Sequence, residues 1–218
     1  MKKIHNLIFA VCILFASHIT GQNANFSAVL PALFPTNASG QIHGISRISQ
    51  MKFHPTNLNK MYAVSARGGL FISSDGGNNW TVTPGTDFMS TARFASVCID
   101  YTNDQTIYLG GGDANYYSSG SGVYKSTNGG TTFTQTTLNN RIILEMIMDP
   151  SNNNVIVAAT NSGVYKTTNA GSTWTLKTGA IAFYDMKQKQ NSGSRVLFAA
   201  TQSGLYRSLD FGDTFRLD

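Results

Sequence analysis

The side chains best suited to chemistry occur in four short motifs that repeat along the sequence at nearly regular spacing. Each places a hydroxyl, an Asp or Asn two residues later, then a Gly and finally an aromatic ring. The motifs start 53, 41 and 41 residues apart and span Ser73–Trp80, Ser126–Phe133, Thr167–Trp174 and Ser208–Phe215. A carboxylate at the third position could donate a proton or bind calcium. Two of the four third positions are Asn128 and Asn169, which transfer no proton, so the motif predicts a structural role.

A turn between two strands explains the motif without any ligand. The hydroxyl and the Asp or Asn side chain bond backbone N–H groups in the turn. The Gly permits a positive φ, and the aromatic ring covers the turn. The residues that we assign to this structural role are Ser73, Asp75, Gly77, Trp80, Ser126, Asn128, Gly130, Phe133, Thr167, Asn169, Gly171, Trp174, Ser208, Asp210, Gly212 and Phe215.

Three short apolar runs precede each motif. Their lengths and alternation are typical of strands, and no stretch shows sustained helical periodicity. The pattern of each unit therefore predicts three strands, followed by a fourth strand that begins at the closing aromatic residue. A four-stranded unit repeated about every 40 residues is typical of a propeller blade. The sequence thus predicts an all-β fold, a β-propeller segment with four-stranded blades at about 41–85, 92–138, 141–178 and 181–218.

The motif resembles the Asp box, or bacterial neuraminidase repeat. This repeat occurs in sialidases, the sortilin luminal domain, xyloglucanase-type glycoside hydrolases and photosystem II stability/assembly factors. The connecting segments Phe53–Asn57 and Met148–Asn152 are most similar to those of secreted bacterial sortilin-like repeat proteins. The resemblance covers roughly residues 40–218 and implies the propeller fold, which hosts unrelated activities.

A glycosidase is the enzyme class that the resemblance implies, and its chemistry needs two facing carboxyl groups. In the xyloglucanase-like relatives an acidic residue precedes the Gly-Gly of the first blade, whereas this sequence has Ala66 there. The mature chain has one glutamate, Glu145, which we assign to the solvated face of a strand. We therefore predict no catalytic residue. If the chain does hydrolyse glycans, the candidate carboxylates are Asp87, Asp113 and Asp185.

The second unit is longer than the third by 12 residues, and part of the excess is the loop Gly110–Gly120. This loop combines a carboxylate, an amide and two aromatic rings. Such a set binds sugar by stacking and hydrogen bonding or contacts a protein, and a self-packed surface loop is the alternative. The candidate ligand-binding residues are Asp113, Asn115, Tyr116 and Tyr117.

Charge and cysteine content limit the other function classes. The 218 residues carry a net charge of +5, which falls to +3 without the two lysines of residues 1–21. This mild excess does not indicate nucleic-acid binding. Without those residues Cys98 is the only cysteine, so no intrachain disulfide forms, and we interpret it as a small buried hydrophobic residue. His43 and His54 have no ligand-spaced partner, so we predict no metal and no cofactor.

The N-terminus is typical of a targeting segment. Lys2 and Lys3 precede the apolar run Ile4–Ala16, and the small and polar stretch Ser17–Gln22 follows. This pattern predicts a secretory signal peptide over residues 1–21, followed by a linker over residues 22–40. The apolar run is too short to span a bilayer comfortably. We therefore expect a secreted protein, extracellular or periplasmic, that has no membrane segment after cleavage.

Relatives with this repeat usually close rings of six or more blades, so four units predict an open or incomplete ring. Truncation of a longer propeller, self-association through open blade edges and a genuine four-bladed ring are the alternatives, and we favour truncation. The predicted function is a non-catalytic binding or scaffold module for glycans or proteins. The alternatives are a fragment of a xyloglucanase- or sialidase-like glycoside hydrolase whose catalytic residues are absent or lost with missing blades, and an assembly factor that acts on other proteins.

Overall fold

The strands predicted around the four motifs are present in the computed structural model, which describes residues 47–87, 89, 93–113, 120–189 and 194–218. All described residues belong to one unit, Pro31–Asp218. They form sixteen strands and one helical turn, α1, over Pro84–Asp87. The predicted signal peptide and linker, together with Asn115, Tyr116 and Tyr117, lie outside the described residues.

The sixteen described strands form four antiparallel sheets, and each sheet takes four strands in chain order. Blade 1 contains β1 Ile48–Phe53, β2 Met61–Ser65, β3 Gly69–Ser73 and β4 Thr81–Val82. Blade 2 contains β5 Phe94–Ile99, β6 Ile107–Gly111, β7 Gly122–Ser126 and β8 Thr134–Gln135. Blade 3 contains β9 Ile143–Asp149, β10 Asn152–Thr160, β11 Gly163–Thr167 and β12 Thr175–Leu176. Blade 4 contains β13 Phe183–Gln188, β14 Leu197–Thr201, β15 Gly204–Ser208 and β16 Arg216–Leu217, which confirms the predicted all-β segment of four blades.

The fourth strand of each blade has two residues and begins one residue after the aromatic residue that closes the motif. The sequence-based start at the aromatic residue is therefore wrong by one position. In blade 1 the N–H of Asn79 donates to Asp75 Oδ1 at 2.9 Å. This hydrogen bond holds the backbone in the turn up to Trp80, so pairing with β3 starts only at Thr81.

Three apolar cores hold neighbouring blades together. The core between blades 1 and 2 contains Tyr62, Val64, Leu70, Phe94, Val97, Ile99, Ile107 and Leu109. The core between blades 2 and 3 contains Cys98, Tyr108, Val123, Leu138, Ile143, Met146, Met148, Ile156 and Ala158. The core between blades 3 and 4 contains Val155, Val157, Ala159, Val164, Phe183, Met186, Leu197, Ala199 and Phe211. Each fully buried Val, Leu, Ile, Phe or Met side chain in them contributes about 1.5–3 kcal/mol to stability.

The four blades do not close a ring. Within the described residues the three cores join the sheets in series, from blade 1 to blade 4. The two terminal blades carry exposed apolar side chains, among them Met51 in blade 1 and Leu205 in blade 4. The predicted open segment is therefore confirmed.

Candidate functional site

A β-bulge in the first strand of each blade positions the polar side chains nearest the centre. In every blade the pairing between the first and second strands skips one residue. Bulges bend a strand and change the direction of the next side chain. The residues that directly follow the skipped one are Gln50, Ser96, Glu145 and Asp185, which therefore occupy equivalent positions in blades 1 to 4.

The bulged segments line a cavity of about 490 Å³, which we call the central groove. Its lining comes from the start of all four blades and consists of Arg47, Ile48, Ser49, Gln50, Ala95, Leu144, Glu145, Tyr184, Asp185 and Lys187. Ala95 is the bulge residue of blade 2, where the other blades have Ser49, Leu144 and Tyr184. The small Ala95 side chain leaves space that a larger residue would fill.

Glu145 is the central acceptor of the groove. Its side chain is only 2% exposed. The carboxylate accepts hydrogen bonds from Lys52 Nζ at 2.9 Å, Gln50 Nε2 at 2.9 Å and Lys187 Nζ at 2.8 Å. The assignment of Glu145 to a solvated strand face is therefore wrong. The bulge brings the residue to the centre of the propeller, where cations from blades 1 and 4 surround it.

Two further hydrogen bonds extend this network into blade 2. The side-chain oxygen of Gln50 accepts from the N–H of Val97 at 2.8 Å, while its amide nitrogen donates to Glu145. Ser96 Oγ donates to the carbonyl of Ile143 at 2.9 Å. The equivalent residues of the first three blades thus bond to one another or to a neighbouring backbone, which fixes their side chains.

Blade 4 supplies the exposed part of the groove. The side chains of Lys187 and Asp185 are 65% and 53% exposed, and Lys187 Nζ donates to Asp185 Oδ1 at 2.7 Å. Burial of Lys187 opposes its charge, but hydrogen bonds to Asp185 and Glu145 outweigh that effect and raise the Lys187 pKa. Tyr184 lies beside them and is also exposed. A ligand in the groove therefore meets an ammonium, a carboxylate and an aromatic ring.

Asp113, the described member of the predicted loop site, is connected to the groove through Arg47. Arg47 lines the groove, and its guanidinium forms an ion pair with the largely buried Asp113. Of the three carboxylates named for hydrolysis, Asp185 lies in the groove and Asp113 contacts a groove residue. The side chain of Asp87 lies outside the described residues.

The groove carboxylates are poorly arranged for acid–base chemistry. Glycoside hydrolysis needs one carboxyl that carries a proton and one that acts as a base or nucleophile. Glu145 and Asp185 both accept hydrogen bonds from the charged ammonium of Lys187. Ala66, at the position where the sequence resemblance implied an acidic residue, is buried. Among the described residues, no group of three His, Cys, Asp or Glu side chains could hold a metal ion.

The four motifs form turns of nearly identical geometry, which we call the repeat turns. The first hydroxyl accepts from the Gly N–H at 2.9 Å in blades 1 and 2, 3.0 Å in blade 3 and 2.8 Å in blade 4. The Asp or Asn Oδ1 accepts from a backbone N–H four residues later at 2.9 Å in every blade. The glycines have φ of 90°, 89°, 87° and 83°, which only Gly adopts without strain.

The carboxylates of two repeat turns are held in the ionised form. Hydrogen bonds from the backbone and side chain of Asn79 and from Ser73 lower the pKa of Asp75. Burial would raise the pKa of Asp210, but hydrogen bonds from Thr214, Ser208 and the Asp213 N–H outweigh it and lower the pKa to about 2. Both carboxylates act as acceptors within their own turn.

Sequence reasoning missed Gln50 and Tyr184 as residues of the central groove and Lys52 as a partner of Glu145. A signal for them was present in the repeat, because alignment of the four first strands places Gln50, Ser96, Glu145 and Asp185 at one position. A polar residue at the same position of all four first strands indicates a shared polar environment. The bulge that brings them to the groove has no such signal in the sequence.

No protein-family model matches the chain, and no curated protein matches it. Solved structures do match. An ancestral GH74 enzyme has a TM-score of 0.68 at 21% identity, and the GH74 xyloglucanase from Xanthomonas campestris has 0.62 at 17%. YCF48 bound to D1 peptide has a TM-score of 0.56 at 19% identity.

These matches show the β-propeller fold. They cover 81%, 80% and 78% of this chain, but only 24% and 31% of the two GH74 structures and 52% of YCF48. The chain therefore spans less than a third of those GH74 structures and about half of YCF48. Separately, no helix in the described part of the chain has the length and apolar character needed to cross a membrane.

Proposed function

We propose that this chain is a non-catalytic binding module of a secreted protein and that the central groove binds a glycan. The repeat turns are, in this proposal, Asp boxes of the kind found in secreted sortilin-like repeat proteins. Their hydroxyl, carboxylate and amide groups are used within the turns themselves. The observation that carries the proposal is a groove in which paired charges lie beside an exposed aromatic ring.

The charges that line the groove and those that contact its lining balance one another, which favours an uncharged polar ligand. Lys52 and Lys187 neutralise Glu145 and Asp185, and Arg47 pairs with Asp113. Such pairs offer both donors and acceptors without a net field that would select an ion. Sugar hydroxyls both donate and accept, so they match this set. The ring of Tyr184 supplies the apolar surface on which a sugar face packs.

Two alternatives have specific support. A protein ligand is favoured by the similarity to YCF48 bound to D1 peptide. A fragment of a glycoside hydrolase is favoured by the similarity to GH74 enzymes. The ammonium shared by Glu145 and Asp185 argues against the second, because a carboxylate bonded to Lys187 serves poorly as a proton donor or a nucleophile.

Calorimetric binding and hydrolysis assays on the secreted chain, with xyloglucan oligosaccharides and sialosides as probes, test the proposal. We expect binding without turnover. The Tyr184→Ala change removes the stacking surface, worth about 0.5–1.5 kcal/mol, and should weaken binding about three- to tenfold at an unchanged melting temperature. Tyr101→Ala is the control, because Tyr101 is also exposed but does not line the groove.

Three results would contradict the proposal in different ways. Turnover that Asp185→Asn abolishes would identify a glycosidase. Binding of an extended peptide in place of every glycan would identify a protein ligand. Equal losses from the Tyr184 and Tyr101 changes would show that the ligand does not occupy the groove.

A further inference from the structure

The repeat turn of blade 2 contains an Asn-Gly bond, Asn128–Gly129, and the Asn128 side chain is exposed. An asparagine loses ammonia when the backbone nitrogen of the next residue attacks its side-chain carbonyl carbon. Glycine permits this attack most readily, because it has no Cβ to crowd the nitrogen. Asn169 occupies the same position in the turn of blade 3 but precedes Ala170. The chain therefore carries a more reactive and a less reactive asparagine in equivalent turns.

The folded turn restrains both reacting groups of Asn128. The Gly129 N–H, whose nitrogen attacks only after losing this proton, donates to the carbonyl of Gln105 at 2.9 Å. The Asn128 side-chain oxygen accepts from Ser126 Oγ and from the Thr132 N–H, each at 2.9 Å. Because Asn128 is exposed, water reaches it, and these hydrogen bonds are what oppose the reaction.

The same restraint is present in the other three turns. In each of them the N–H that follows the Asp or Asn donates to a carbonyl near the start of the second strand of its own blade. In blade 3 the Asn169 oxygen also accepts from Thr167 Oγ1 and the Thr173 N–H, each at 2.9 Å. The turns of blades 2 and 3 therefore differ at the attacking nitrogen but hold their asparagines alike. The backbone bonds join Gly76 to Asn59, Ala170 to Asn154 and Phe211 to Arg195, each at 2.9 Å.

We propose that Asn128 is a deamidation site that the folded repeat turn keeps closed and that local opening of the turn exposes. In the reaction the Gly129 nitrogen gives up its proton and bonds to Asn128 Cγ. The Cγ–Nδ2 bond breaks, and the amide nitrogen leaves with that proton as ammonia. Water then opens the cyclic imide at either of its two carbonyls. The products are aspartate or isoaspartate, with one ammonia released for each water consumed.

The turn accommodates aspartate but not isoaspartate. Thr132 Oγ1 accepts from Asn128 Nδ2 at 2.9 Å, whereas the equivalent Thr214 Oγ1 donates to Asp210 Oδ2 at 2.7 Å. A hydroxyl both donates and accepts, so Thr132 can also bind an aspartate at position 128. Isoaspartate instead adds one carbon to the main chain inside the turn, which displaces the N–H groups that the turn binds. Formation of isoaspartate therefore makes opening of this turn irreversible.

Peptide mapping by mass spectrometry tests the proposal on the wild-type chain, incubated folded and in urea at mildly alkaline pH. In urea we expect Asn128 to deamidate at least about tenfold faster than Asn169, because glycine leaves the attacking nitrogen unhindered. In the folded chain we expect both rates to fall at least about tenfold, because the reaction then requires local opening of a turn. Asn128 that reacts equally fast in both conditions, or no faster than Asn169 in urea, would overturn the proposal.

Two variants separate the effect of the hydrogen bonds from that of the glycine. Ser126→Ala removes three hydrogen bonds from the turn and should speed deamidation of Asn128 in the folded chain at least about tenfold, with Asn169 as the unchanged control. Gly129→Ala should slow the reaction in urea to the rate of Asn169. This variant is expected to fold, because Ala170 has a φ of 54° at the same position. An unchanged rate in either variant would contradict the proposal.

Refolding of the aged chain distinguishes the two products. Chains that carry aspartate at position 128, and the variant Asn128→Asp, should melt at the wild-type temperature, because Asp75 and Asp210 fill this position in two other turns. Chains that carry isoaspartate, quantified by enzymatic methylation of its free carboxyl group, should melt at a lower temperature. Equal melting of both products would show that the turn does not restrain the main chain at Asn128.

Discussion

The repeat turns and the central groove use the same four blades in opposite ways. The turns repeat one set of hydrogen bonds with lengths that differ by no more than 0.2 Å between blades. The groove has a different residue at its equivalent position in each blade, namely Gln50, Ser96, Glu145 and Asp185. A fixed turn needs the same acceptors every time, whereas a site that orients one ligand needs different groups around it.

The carboxylates of the repeat turns and of the central groove also differ in what they bind. Asp75 and Asp210 bond within their own turns, and Asn128 and Asn169 make the same backbone hydrogen bond without a charge. A carboxylate is therefore dispensable in a turn. Glu145 instead accepts hydrogen bonds from side chains of two other blades. Its negative charge therefore neutralises ammonium groups that are distant in sequence.

The largest loss of stability is expected from a change at Glu145. Glu145→Ala leaves Lys52 and Lys187 without their shared carboxylate and should lower the free energy of unfolding by about 3 kcal/mol, less than for a fully buried pair because Lys187 is exposed. Glu145→Gln keeps an acceptor and should cost less. Urea unfolding of both variants measures this. A loss below about 0.5 kcal/mol for Glu145→Ala would show that the groove network does not tie the blades together.

A smaller effect is expected in the fourth repeat turn and depends on pH. The folded pKa of Asp210 is about 2, below its ordinary value of 3.8. Its contribution to stability is therefore present above pH 3.8 and is lost as the pH falls toward 2. Asp210 is only partly buried and therefore screened by solvent, so the loss should stay below about 1 kcal/mol.

Asp210→Asn tests that effect through the melting temperature between pH 5 and pH 2. At neutral pH the variant should match the wild type within about 0.5 kcal/mol, because Asn128 and Asn169 fill the same role. In the variant, the share of the acid-induced fall in melting temperature that comes from protonation of Asp210 should disappear. An Asp210→Asn protein that is strongly destabilised at pH 7 would break the equivalence of the turns.

The blades and turns could be predicted because their signals lie within consecutive residues. Ser73 to Trp80 contains the side chains that fold its turn, and the other three copies repeat the pattern. The groove could not be predicted in the same way. Glu145 is a single charged residue within the apolar run of β9, and the side chains that bind it, Gln50, Lys52 and Lys187, lie 42 or more positions away.

The loop residue Asp113 was singled out from the sequence, but its partner was not. The sequence singled out Asp113 because a carboxylate stood beside aromatic residues in a long insertion. The structure pairs Asp113 with Arg47, 66 positions away, and Arg47 is the link to the groove. Residue type alone therefore singled out a carboxylate that contacts a groove residue, while its partner Arg47 followed only from the arrangement of blades 1 and 2.

The most direct test of the account compares one chemical change at two places, Asp185→Asn in the groove and Asp210→Asn in a repeat turn. Glycan affinity of both variants, measured by calorimetry beside their melting temperatures, is the observable. We predict that Asp185→Asn weakens binding about tenfold, as the loss of a charged hydrogen-bond acceptor does, while Asp210→Asn leaves binding unchanged. Binding that is lost on Asp210→Asn and kept on Asp185→Asn would place the ligand at the turns and contradict the account.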